Sequence, residues 1–246
     1  MKRSIVATFL FFLISASSFS QDVKDIWKQL GSDIDGEAAG DNSGRSVSMS
    51  SDGNTVAIGA IFNDGNGTNA GHVRIYNYDG SSWVQIGQDI DGEAANDNSG
   101  HSVSLSSDGN TVAISAPYND GNGSFAGHVR VYENIGGSWS QIGNDIDGEA
   151  SGDESGYSVS LSSDGNIVAI AAPGNDGNGN NSGHVRVFEN VNGTWTQLGQ
   201  DLDGEATNDG SDGLAVSISS NGNIVSILEG GYDLKALQES SQRHVD

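Results

Sequence analysis

Residues 100–133, GHSVSLSSDGNTVAISAPYNDGNGSFAGHVRVYE, contain three strand signals separated by turn residues. In residues 102–106, serine alternates with Val103 and Leu105, which is the two-residue period of a strand with one apolar face. The Asp-Gly-Asn turn that follows tolerates the positive φ of a tight hairpin, so residues 111–116 form the returning strand. Beyond an Asn-, Asp- and Gly-rich loop, residues 128–133 predict a third strand.

The same pattern recurs every 56 residues along the chain. This interval separates the four tryptophans Trp27, Trp83, Trp139 and Trp195. Constant spacing means that the loops between them have equal lengths, so each unit is one structural module. Residues 139–146 add a fourth strand to the unit, and no helix-period segment occurs between residues 22 and 228.

Four short antiparallel strands per unit are typical of a β-propeller blade. The predicted fold class is therefore all-β, with four-stranded antiparallel blades of a partial or open propeller. The repeats occupy residues 21–220, in units near 27–82, 83–138 and 139–194 with a partial unit at 195–228. This amounts to about fifteen strands, one fewer than a four-bladed ring of four-stranded sheets requires. An all-β solenoid is the structural alternative.

Residues 1–20 have the features of a secretory signal peptide. Two basic residues precede a short apolar run, and serines occupy the −3 and −1 positions of a cut before Gln21. The run is too short to span a bilayer, so we expect a secreted, extracellular protein without a membrane span. The chain has no cysteine for disulfides, and its net charge of −23 argues against nucleic-acid partners.

The repeat also resembles a known family. Its Ser-Gly-x-Ser-Val start, the Ala-Pro after the second strand and the Gly-His-Val-Arg-Val-Tyr third strand resemble the FG-GAP repeats of integrin-α-type β-propellers, across residues 27–220. The resemblance is greatest to the copies in secreted bacterial proteins. It implies a seven-bladed fold used for adhesion or for extracellular protein and glycan binding. The family's calcium loop is reduced here to Ser-Ser-Asp-Gly-Asn, which argues against calcium at that position.

Residues 221–246 depart from the repeat and resemble the C-terminal end of histone-deacetylase-like amidohydrolases. There a short helix is expected, capped by Asp233 with Leu234 and Leu237 on its buried side. The resemblance implies that Tyr232 matches a tyrosine that polarises the substrate carbonyl beside zinc. The chain lacks the histidine pair and the metal motif that this chemistry needs. We interpret the tail as a graft and predict no catalytic residues.

Acidic Asp-x-Asp-Gly-Glu clusters recur in every unit and are the candidate metal ligands. Calcium takes six to eight oxygen ligands, but the pattern is not an EF-hand, because its glycine comes too early and the closing glutamate is missing. A solvated acidic loop is the favoured interpretation, and no cofactor is expected. The calcium alternative involves Asp33, Asp35, Glu37, Asp89, Asp91, Glu93, Asp145, Asp147 and Glu149.

The repeated histidines and tryptophans have structural interpretations. His72, His128 and His184 occur once per unit, so they cannot share one metal, and each is expected to open a strand with its ring at the surface. The tryptophans are expected to be packing anchors, with stacking on sugar rings as the alternative.

These features predict a secreted, non-catalytic propeller repeat protein that acts as an extracellular binding, adhesion or structural module. Its partners would be a glycan or a protein, and an incomplete propeller would allow self-association. An enzyme is the alternative, as a fragment of, or fusion to, a zinc-dependent histone-deacetylase-like amidohydrolase that is inactive here. A truncated product is a third interpretation.

Overall fold

A computed structural model describes residues 27–210, 215–228 and 234–238. The chain divides into two units, residues 1–30 and residues 31–246. Of the first unit only residues 27–30 are described, so the predicted signal peptide lies outside the described residues. All described strands belong to the second unit. No helix with the length and apolarity of a membrane span occurs in the described part of the chain.

The described strands form four antiparallel sheets, called blades 1 to 4 in chain order. Blade 1 contains β1 (Ser43–Met49), β2 (Thr55–Ala60), β3 (His72–Tyr78), β4 (Trp83–Gln85) and β5 (Ile90–Asp91). Blade 2 contains β6 (Val103–Leu105), β7 (Thr111–Ala116), β8 (His128–Ile135), β9 (Ser138–Gln141) and β10 (Ile146–Asp147). Blade 3 contains β11 (Ser158–Leu161), β12 (Ile167–Ala172), β13 (His184–Val191), β14 (Thr194–Gln197) and β15 (Leu202–Asp203). Blade 4 contains β16 (Ala215–Ile218), β17 (Ile224–Leu228) and β18 (Leu234–Gln238).

The all-β prediction is confirmed, and the predicted fourth strand is divided in two. In blade 2, β9 and β10 both pair with β8. The chain leaves the sheet between them, where Gly143 takes a φ of +70°. This left-handed conformation cannot continue a strand, so the predicted strand over residues 139–146 becomes two short segments.

Local side-chain hydrogen bonds hold the hairpin between the first two strands of each blade. In blade 2, Asp108 Oδ1 accepts hydrogen bonds from Ser106 Oγ at 2.6 Å and from the Asn110 amide at 3.0 Å. Gly109 lies between them with a φ of +72°, as predicted for a tight turn. The same turn recurs in blades 1 and 3.

Each blade contributes half of an apolar core that its neighbour completes. The front face of blade 2, formed by Val103, Leu105, Val112 and Ile114, packs on the back face of blade 1, formed by Ala57, Val73, Ile75 and Ile90. Blade 3 packs on blade 2 in the same way, and blade 4 on blade 3. The hydrophobic cores therefore lie between the sheets.

On the front face of blade 1, the side chains of β1 are exposed to solvent, although Val56 of β2 is buried. Val47 and Met49 are 64% and 56% exposed, whereas Val103 and Leu105, at the same positions in blade 2, are 7% and 8% exposed. No blade covers this face among the described residues, so the four blades form an open array at that end.

The predicted C-terminal helix is wrong for the residues that the structure describes. Residues 234–238 form β18, which pairs antiparallel with β17. Leu234 and Lys235 lie opposite Leu228 and Ile227, the register that Val185 and Arg186 have in blade 3. Pairing satisfies the backbone groups of β17, which would otherwise be an unpaired edge, and this outweighs the helical spacing of the two leucines. Asp233 and Tyr232 lie outside the described residues.

The exposure of blade 1 predicts unequal effects of two matched truncations. Leu105→Ala should lower the free energy of unfolding by about 2–5 kcal/mol, because it leaves a cavity between two blades. Met49→Ala, at the same position in blade 1, should change it by less than about 0.5 kcal/mol. Urea unfolding followed by tryptophan fluorescence measures both. Equal losses would show that the front face of blade 1 is covered.

Candidate functional site

Three histidines begin the third strand of blades 1, 2 and 3, and all three are buried. His72, His128 and His184 are 2%, 1% and 1% exposed. The prediction that their rings lie at the surface is therefore wrong. The cause is tertiary, because carboxylate-bearing segments from either side of the third strand lie against its first residue.

Each histidine faces two carboxylates from different sequence repeats. His128 Nδ1 lies 3.8 Å from Glu93 Oε2 and 3.6 Å from Asp145 Oδ2. The corresponding distances in the other blades are 3.8–3.9 Å. The three clusters are Glu37–His72–Asp89, Glu93–His128–Asp145 and Glu149–His184–Asp201, each with its ligand atoms within 4.8 Å of one another.

The structure divides the acidic clusters that the sequence groups together. Asp89 faces His72 in blade 1, whereas Glu93 of the same Asp-x-Asp-Gly-Glu segment faces His128 in blade 2. The residue between them, Asp91, contributes its backbone oxygen, which accepts a hydrogen bond from Arg130 at 2.7 Å. The backbone oxygens of Asp35 and Asp147 accept the equivalent hydrogen bonds from Arg74 and Arg186. The acids of one Asp-x-Asp-Gly-Glu segment thus contact two neighbouring blades.

Groups outside each cluster hold the remaining carboxylate oxygens. In blade 2, Gln141 Nε2 donates to Asp145 Oδ1 at 2.6 Å. Arg130 lies 3.6 Å from Glu93 Oε1 and stacks over the Tyr132 ring at 5.6 Å. The other oxygen of each carboxylate is left facing the imidazole. Blades 1 and 3 repeat the glutamine and arginine contacts.

Burial disfavours the protonated form of His128 and of His184. Burial, followed by the charge of Arg130, lowers the pKa of His128 to about 4. Burial and the charge of Arg186 also lower the pKa of His184. Burial raises the pKa of the Glu93 carboxyl. At neutral pH, one ring nitrogen of His128 and one of His184 therefore has a lone pair available for a metal ion.

A second cluster, here called the aromatic patch, consists of His101, Tyr118, Phe125 and Tyr157. His101 lies 4.9 Å from the Tyr157 ring and 6.4 Å from the Tyr118 ring, measured between centroids. Tyr118 and Phe125 meet edge to face at 5.7 Å. Phe125 is 49% exposed, so the patch reaches the surface.

Phe125 has a backbone conformation that suits asparagine. Its φ is +53°, and the same position in blades 1 and 3 is Asn69 and Asn181, with φ of +53° and +48°. Asparagine tolerates this left-handed region, whereas a bulky side chain there costs about 1–2 kcal/mol. Phe125 is about half exposed, so burial in a hydrophobic core does not explain the phenylalanine. Such strain is concentrated at functional sites.

The position of His101 also varies between repeats. Its equivalents are Arg45 and Tyr157, and the three side chains lie next to one another. His101 Nδ1 donates to the Tyr157 carbonyl oxygen at 3.2 Å, which leaves Nε2 to accept from Arg45 at 3.3 Å. Burial and the Arg45 charge lower the pKa of His101. No sequence motif predicted this patch, although departures from the repeat at residues 101 and 125 mark it.

Trp139 and Trp195 are packing anchors between blades. Trp139 is 5% exposed and donates from Nε1 to the Ile86 carbonyl oxygen of the preceding blade at 3.0 Å. Trp195 makes the equivalent bond to Ile142 at 2.9 Å. Both indoles therefore tie one blade to the next. Trp27, in the separate N-terminal unit, is 86% exposed.

Four antiparallel sheets packed face to face in chain order define a β-propeller repeat protein. The family model for the FG-GAP repeat matches residues 34–76 and 146–188, so these two stretches are similar to FG-GAP repeats. Comparison with curated proteins gives no significant match.

Solved structures support the same fold. Hydrazine synthase from Kuenenia stuttgartiensis is similar with a TM-score of 0.51 and 12% identity, over 80% of this chain and 58% of that one. A protein described as a 6-phosphogluconolactonase from Bacteroides uniformis is similar with a TM-score of 0.53 and 14% identity, over 80% of this chain and 50% of that one. This chain thus spans little more than half of either protein. At such low identity the similarity concerns the fold alone.

The environment of His101 predicts a pH-dependent contribution to stability. Its pKa in the folded state lies below the value of about 6.5 in the unfolded chain, so the unfolded state binds the proton more readily. The contribution of His101 to stability is therefore fully present above about pH 6.5 and is lost as the pH falls below that value. His101→Gln should therefore lose less thermal stability than the wild type between pH 7 and pH 5. Calorimetric scans at matched pH values measure this difference, and identical losses would contradict it.

Proposed function

We propose that this chain is a secreted, non-catalytic β-propeller module that binds neutral extracellular polysaccharide through the aromatic patch. The observation that carries the proposal is the exposed Phe125 ring, in a left-handed backbone conformation that its equivalents fill with asparagine. A strained, exposed ring at a departure from the repeat supports selection for a contact with a ligand.

The chemistry of the patch suits a sugar. Phe125 and Tyr118 offer apolar ring surface to the C–H face of a pyranose, while the tyrosine hydroxyl is a donor and acceptor for sugar hydroxyls. Arg45, exposed beside His101, adds a cationic donor. A net charge of −23 repels acidic polymers, which favours a neutral ligand.

The repetition of the histidine clusters favours binding over catalysis. The same arrangement of glutamate, histidine and aspartate occurs in three successive blades. A catalytic centre combines different groups at one place, whereas equal sites repeated along an array are suited to multivalent binding or to structural support.

Replacing Phe125 with the residue that the repeat has elsewhere separates binding from folding. Phe125→Asn should weaken binding of a neutral β-glucan at least tenfold, because it removes the exposed ring. It should also raise the free energy of unfolding by about 1 kcal/mol, because asparagine tolerates the positive φ. Affinity electrophoresis of the mature chain in β-glucan gels measures the first effect, and urea unfolding measures the second.

The matched control is Ile135→Asn, which removes another exposed apolar side chain at the far end of β8. It should leave the electrophoretic retardation unchanged. The proposal fails if the wild type moves equally in gels with and without neutral polysaccharide, or if both variants bind like the wild type. Retardation only by an acidic uronan would also overturn it.

Export has its own test. After expression with its native N-terminus in a Gram-negative host, the protein outside the cytoplasm should begin at Gln21, because signal peptidase cuts after small residues at −3 and −1. Edman sequencing or mass spectrometry of the exported fraction identifies the terminus. Accumulation of the chain in the cytoplasm with Met1 retained would contradict the prediction.

A further inference from the structure

We infer that each of the clusters Glu37–His72–Asp89, Glu93–His128–Asp145 and Glu149–His184–Asp201 binds one divalent transition-metal ion of the zinc class. In all three clusters, an imidazole Nδ1 lies near one oxygen from each of two carboxylates, and the ligand atoms lie within 4.8 Å of one another. The inference is independent of polysaccharide binding, since none of these residues belongs to the aromatic patch.

The distances fit a shared ion better than direct hydrogen bonds. In the three clusters, Nδ1 lies 3.6–3.9 Å from the two carboxylate oxygens, which exceeds the length of a hydrogen bond. Two ligand atoms that each lie about 2.1 Å from one zinc ion are about 3.0–3.5 Å apart. A small side-chain rotation therefore brings all three atoms into a coordination sphere.

The histidine of blade 3 supplies an independent indication of a ligand. His184 is 1% exposed, and neither of its ring nitrogens has a hydrogen-bond partner among the described residues. An unpaired polar group in the interior costs free energy unless something satisfies it. Its Nδ1 points toward Glu149 and Asp201, where a metal ion would provide the missing partner.

Neighbouring side chains hold the carboxylates of each cluster in place. In blade 3, Gln197 Nε2 donates to Asp201 Oδ1 at 2.6 Å, and Arg186 lies 3.5 Å from Glu149 Oε1. These contacts hold the outer oxygen of each carboxylate and leave the inner oxygen for the ion. Contacts of this kind orient metal ligands in known sites.

The ligand set indicates the class of ion. Calcium prefers six to eight oxygen ligands, whereas imidazole nitrogen suits zinc and related first-row ions. One histidine and two carboxylates leave a fourth position for water or for a donor from a partner. The acids proposed from sequence as calcium ligands are thus assigned to a different ion and, in Asp89 and Glu93, to two different sites.

Metal stoichiometry tests the inference directly. The mature chain is stripped with EDTA, dialysed against zinc chloride and then against metal-free buffer, and its zinc content is measured by inductively coupled plasma mass spectrometry. Three zinc ions per chain are expected for the wild type and two for Glu149→Gln. Glu133→Gln, which neutralises an exposed carboxylate of β8 outside the clusters, should retain three.

Cobalt substitution reports the type and number of the metal ligands. The Co²⁺-loaded chain should show visible d–d bands of a four- or five-coordinate site with nitrogen and oxygen ligands, and Glu149→Gln should lose about a third of their intensity. No retained zinc, equal zinc content in both variants, or displacement of zinc by millimolar calcium would overturn the inference. A zinc-loaded chain that does not bind β-glucan would refute only the proposed function.

Discussion

Packing of one blade against the next is the constraint on which this structure depends. Each blade is a single thin sheet with apolar residues on both faces, so neither face is shielded within the blade. Close approach requires small residues between the sheets. A Cβ at Gly59 would strike the Gly100 carbonyl oxygen, and one at Gly71 would strike that of Ser99, in the segment that leads into blade 2. Valine, leucine and isoleucine side chains fill the remaining space.

The same stacking creates the polar sites. Because neighbouring blades lie face to face, the acidic segment that joins them contacts both. Its first aspartate faces the histidine of the blade it leaves, and its glutamate faces that of the blade it enters. The burial of His128 and the chemistry of its cluster are thus consequences of blade packing, and a blade in isolation would lack one of the two carboxylates.

Departures from the repeat have a different meaning in this architecture. Residues that tie blades together recur every 56 positions, as the indole of Trp139 and that of Trp195 do. A side chain that differs between blades is not needed for contact between blades. The phenylalanine at residue 125 stands where two other blades have asparagine, and it accepts backbone strain that those blades avoid. Residues that repeat are those that every blade needs, and the interruption of the repeat at residue 125 indicates the surface proposed to bind polysaccharide.

The sequence by itself determined the strands and turns, because alternation and Asp-Gly-Asn turns act between residues close in the chain. It also revealed the module length through constant spacing. Only the tertiary structure decided which carboxylates meet each histidine, because the two carboxylates come from different repeats. It likewise decided that residues 234–238 form a strand, since the open edge of β17 supplies hydrogen bonds that no local pattern records. Contacts across blade boundaries were beyond sequence reasoning, because they depend on how whole sheets stack.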